Sequence, residues 1–171
     1  MNPRLENLKW LLVDLMLDLG SPAKIYRDYR NSPDFDPDKL TYIGIARVCN
    51  SHAILALCKM CEILKNYNNE IRDFPRLHKE LNQVKANLEV RGINRLRSQY
   101  IAHIHEKGEK SPPPISEMRD ILEIIARKDL DDFYEWISPV ESNSSRGILN
   151  MVYELKEEIR AIVGSTSREN P

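Results

Sequence analysis

Between Leu40 and Leu64 only three of 25 residues are charged, Arg47, Lys59 and Glu62. That run is far longer than a buried strand, so it predicts a helix apolar over most of its circumference. Such a helix must be surrounded, which places it in the middle of a bundle. Gly44, Ala46, Ser51, Ala53 and Ala56 keep parts of its surface low enough for other helices to approach closely. The internal charges argue against a membrane span. Asp36-Pro37-Asp38 offers a start signal, namely a capping acid, a proline at the first helical position and an acid in the first turn. The predicted helix runs from about Pro37 to Asn66.

The remaining chain shows the same period. Leu5, Leu8, Leu12, Leu15 and Leu19 recur at spacings of three and four, so a helix is expected from about Arg4 to Leu19, ended by Gly20-Ser21-Pro22. A short helix is expected over 23–30. Leu77, Leu81, Val84 and Leu88 mark a third long helix from near Arg76, interrupted at Gly92 by a bend or a break. A helix from near Ser116 buries Met118, Ile121, Leu122 and Ile125, and Asp129–Ile137 either continues it or forms a short separate helix. The last helix, about Arg146 to Val163, turns Ile148, Leu149, Val152, Leu155, Ile159 and Ile162 inward and stops at Gly164. No stretch alternates with period two over more than a few residues. The fold class is therefore an all-α bundle of about five helices: one domain over 1–164, with its core at about 37–163 and a flexible tail at 165–171.

Composition narrows the functional classes. With 42% apolar and 30% charged residues, the 171-residue chain has the balance of a globular domain. A formal net charge of −1 excludes a uniformly basic nucleic-acid coat, so any nucleic-acid contact must use a local patch. No secretory signal pattern opens the sequence. The three cysteines, Cys49, Cys58 and Cys61, fall in one predicted helix and read as reduced thiols of a cytoplasmic protein.

One patch stands out. From Lys85 to Lys110 six basic residues face three acidic ones, a local +3, whereas Glu117 to Glu135 has three basic and seven acidic, a local −4. Inside the basic stretch lies Arg97-Ser98-Gln99-Tyr100-Ile101-Ala102-His103. On an ideal helix Ile93, Leu96, Tyr100 and Ile104 share a face, and Arg97 and His103 border it roughly 120° apart and about 9 Å along the axis. A permanent cation thus accompanies the side chain that titrates near neutrality. Arg91, Arg95, Ser98, Tyr100 and Lys107 are the neighbouring candidates for substrate contacts.

Other constellations carry less. His103 and His105 diverge on a helix, and Cys58-x2-Cys61 has no second pair, so no metal site is expected. Cys49 and His52 read as packing residues, and His78 has no partner in sequence. Asp131-Asp132 with Glu135 reads as a solvated acidic face. No Gly-rich phosphate loop or nucleotide fingerprint is present, so no cofactor is expected.

The Arg-x5-His element, its Arg-Ser-Gln-Tyr-Ile-Ala-His setting and the small all-α architecture resemble the HEPN superfamily, in particular the subgroup found in phage abortive-infection systems. The resemblance implies a metal-independent endoribonuclease of a phage-defence or toxin–antitoxin system. It would act as a homodimer on RNA, with Arg97 and His103 catalytic and an antitoxin protein as partner. Many active members carry Asn, Asp or His after the arginine, where this chain has Ser98. The second reading is therefore a non-catalytic helical dimerisation or binding module. A third is a regulatory bundle that binds a ligand beside Tyr100.

Overall fold

The computed structural model describes residues 2–98, 130–140 and 146–164. Within them all regular structure is helical: α1 (Pro3–Arg30), α2 (Leu40–Asn66), α3 (Asn68–Ile71), α4 (Pro75–Val90), α5 (Ile93–Leu96), α6 (Leu130–Ile137) and α7 (Ile148–Val163). The all-α expectation holds. The helix expected from Ser116 and the tail 165–171 lie outside the described residues.

The centre of the bundle is α1, not the apolar α2. It packs along both α2 and α7 and touches α6. Its stripe Leu8, Leu12, Leu15 and Leu19 is essentially inaccessible to solvent. By contrast α2 buries Ala53, Ile54, Leu57 and Met60 while Leu40, Ile43, Val48 and Leu55 stay exposed. By length and hydropathy α2 is the one described helix able to cross a membrane, but here its inner face packs on α1.

α1 also runs past its expected end. It is 28 residues long, with Pro22 in its interior. An interior proline costs about 3 kcal/mol through the lost hydrogen bond and the ring clash. Anchors beyond it offset that cost. Ala23 is fully buried, the Tyr26 ring stacks on Tyr134 at 4.5 Å, and Arg27 donates to the backbone carbonyl of Tyr134 at 2.9 Å. The separate helix expected over 23–30 is thus the last two turns of α1.

Other boundaries shift for local reasons. Asp36 Oδ1 accepts from the Asp38 amide at 3.0 Å, closing a turn of its own, so α2 begins at Leu40 and not at Pro37. In α7 the buried position after Ile159 is Val163, not Ile162, which is 61% exposed. Spacings of four from Leu155 through Ile159 to Val163 keep the inner face. Gly92 marks a true break: its φ of 81° lies in the left-handed region that L side chains rarely adopt. Its amide and that of Arg91 close the end of α4 on Glu89 and Asn87.

Candidate functional site

The Gly92 corner positions Arg97. Past the break, α5 is a single turn pinned by Ile93 and Leu96, both fully buried. Arg97 follows at its C-cap and reaches across to α2, where Nη1 donates to Glu62 Oε1 at 2.5 Å. The two side chains are 43% and 57% exposed, so this is a surface pair and not a core hydrogen bond. The hydrogen bond that Arg97 donates to Glu62 and the charge of that carboxylate raise the Arg97 pKa further, so the guanidinium is always charged.

The other members of the motif divide into two groups. Arg91 caps α4 half-buried, and Arg95 is exposed on α5. The Ser98 hydroxyl is exposed and donates to the Arg95 carbonyl at 3.2 Å. His103, Tyr100 and Lys107 lie outside the described residues.

The three thiols of α2 are shielded from solvent. Cys49, Cys58 and Cys61 are free and buried. Burial pushes the Cys58 thiol up to about 11, partly countered by the Arg97 charge, and pushes Cys61 up to about 12. Among the described residues no three His, Cys, Asp or Glu side chains converge as metal ligands. His52 is not a packing residue: it is half exposed, with Nε2 3.6 Å from Asp18, because that point of α2 faces the polar edge of α1. His78 does have a partner, since its Nε2 lies 2.8 Å from the Asn68 side-chain amide.

A second polar cluster escaped the sequence reading. The acidic face of α6 is not simply solvated; it meets the C-terminal end of α1 across a cleft of about 380 Å³. Arg27 bonds the carbonyls of Tyr134 and Ser138 and pairs with Glu135 at 3.1 Å. The Tyr26 hydroxyl donates to Asp131 at 3.0 Å, and Arg30 lies 3.7 Å from the same carboxylate. Deeper in, the Tyr134 hydroxyl donates to Asn50 Oδ1 at 2.7 Å. The signal was available as complementary spacing: Arg27 and Arg30 three apart, Asp131 and Glu135 four apart, each set on one helix face. Because these groups engage one another, the cleft works as a brace for α6.

No family model matches the chain, and no curated protein matches it. Among solved structures it is similar to an integron cassette protein, Vpc_cass2, from the mobile metagenome of V. paracholerae, at 17% identity and a TM-score of 0.72. The match covers 93% of this chain and 97% of that one. The likeness is one of fold.

Proposed function

We propose that this protein is a HEPN-like, metal-independent endoribonuclease of a phage-defence or toxin–antitoxin system. The observation that carries the reading is the Arg97-x5-His103 motif in the one strongly basic stretch of a nearly neutral chain, with the Arg97 guanidinium at the surface. In the reaction, the ribose 2′-oxygen attacks the adjacent phosphorus as histidine takes its proton. The P–O5′ bond breaks, and the leaving oxygen receives a proton. The products are a 2′,3′-cyclic phosphate and a 5′-hydroxyl end. Arginine stabilises the charge that gathers on the phosphoryl oxygens through its paired N–H donors.

One Arg–His pair on one chain supplies a single acid–base group for two proton transfers. A two-fold homodimer supplies a second copy of each residue, and this is the physical reason for the dimer in this reading. A cytoplasmic setting and an antitoxin partner belong to the same proposal.

A second reading, a non-catalytic dimerisation or binding module, is favoured by two observations. Glu62 already holds Arg97, and α2 presents Leu40, Ile43 and Val48 to solvent. RNA cleavage in the presence of chelator separates the two readings. Wild type active with Arg97→Ala and His103→Ala inactive supports the ribonuclease; a folded wild type with no activity supports the module.

A further inference from the structure

Glu62 competes for the donors that the ribonuclease reading assigns to phosphate. Glu62 Oε1 accepts from Arg97 Nη1, so a phosphodiester that takes the guanidinium edge containing Nη1 must displace that carboxylate oxygen from it. The backbones on either side are fixed. Arg97 follows the buried Ile93 and Leu96, and Glu62 lies between the buried Cys61 and Ile63 on α2. Exchange of partners therefore requires side-chain rotation only. Both side chains are about half exposed, so water can solvate the carboxylate as it leaves. One turn back on α2, Cys58 keeps its proton and contributes no second negative charge.

We infer that Glu62 gates Arg97: its carboxylate occupies the phosphate position, and RNA binds by displacing it. The inference rests on the ribonuclease reading. An exposed ion pair contributes up to ~1 kcal/mol, so removing the competitor should tighten RNA binding by at most about fivefold. A gate this weak lets substrate through while lowering the affinity for stray anions.

The test measures equilibrium binding of a 2′-O-methyl single-stranded RNA at one fixed salt concentration, alongside cleavage of the unmodified RNA in chelator. The proteins are wild type, Glu62→Gln, Glu62→Ala, Arg97→Ala, His103→Ala and the double variant Glu62→Gln/Arg97→Ala, each checked by its thermal midpoint to be fully folded at the assay temperature. Tighter binding by both Glu62 variants, with the gain absent in the Arg97→Ala background, is the expected result. Tightening that persists without Arg97 overturns the gate, because it reflects only the loss of a negative charge near RNA. Weaker binding in Arg97→Ala without tightening in either Glu62 variant also overturns the gate but leaves the ribonuclease reading standing. Binding and cleavage indifferent to both Arg97 and His103, or absent in every protein, overturn both.

Discussion

The cysteine thiols show how burial sets reactivity residue by residue. Cys58 and Cys61 are 2% and 7% exposed, and desolvation disfavours their thiolates. Folded protein at pH 8 is therefore expected to react with iodoacetamide much more slowly than unfolded protein, which mass spectrometry of the labelled chain checks. The sign for stability follows from linkage. The folded pKa values, about 11 and about 12, lie above the ordinary value of 9.0, so the folded state holds these protons more tightly. Their contribution is fully present below pH 9 and is lost as pH rises toward 12. Urea midpoints measured from pH 8 to 11 should fall, and a flat profile would contradict the burial. Gly147 is a second single-residue test. Its φ of −77° needs no glycine, but an added Cβ would lie 2.1 Å from the Pro139 ring and 3.2 Å from the Ile137 carbonyl. Gly147→Ala should cost about 1–3 kcal/mol by urea denaturation.

Among the helices, the long α1 was only half legible in the sequence. Its leucine stripe is plain, but Gly20-Ser21-Pro22 carries a strong local stop signal. What overrides it is tertiary: residues 105 or more positions away receive Tyr26 and Arg27. Pro22→Ala tests that balance. Restoring the helix removes a penalty of about 3 kcal/mol, while trimming two buried methylenes costs about 1.6 kcal/mol. A net gain of ~1 kcal/mol is expected, read as a higher urea midpoint at constant slope. The break at Gly92 was signalled by a glycine between two apolar stripes, and the positive φ supplies its cause. In α2 the apolar run correctly marked a long helix but misplaced it. Hydropathy reports how apolar a helix is, not how much of it a neighbour covers, and α2 leaves Leu40 and Val48 85% and 69% exposed.

At the scale of the molecule, several polar links join helices far apart in sequence, among them Lys59–Asp18 and Arg76–Glu154, and two matter most here. The Arg27 brace holds α6 on α1, and the Arg97–Glu62 pair joins the Gly92 corner to α2. They should differ in worth. Arg27 is largely buried and satisfies two backbone carbonyls, so Arg27→Ala should cost roughly 2–3 kcal/mol and speed hydrogen exchange first in α6. Arg30→Ala, at a more exposed pair, should cost less than about 1 kcal/mol. Arg97 was found in sequence because its motif is local, whereas the brace was not, because its halves are joined only by folding. The proposed ribonuclease centre pairs Arg97 with His103. The most direct measurement is cleavage of single-stranded RNA in excess chelator by wild type, Arg97→Ala and His103→Ala. Cleavage by wild type that yields 2′,3′-cyclic phosphate ends, and falls at least 100-fold in each variant, is the predicted result. Equal cleavage by all three proteins would contradict it.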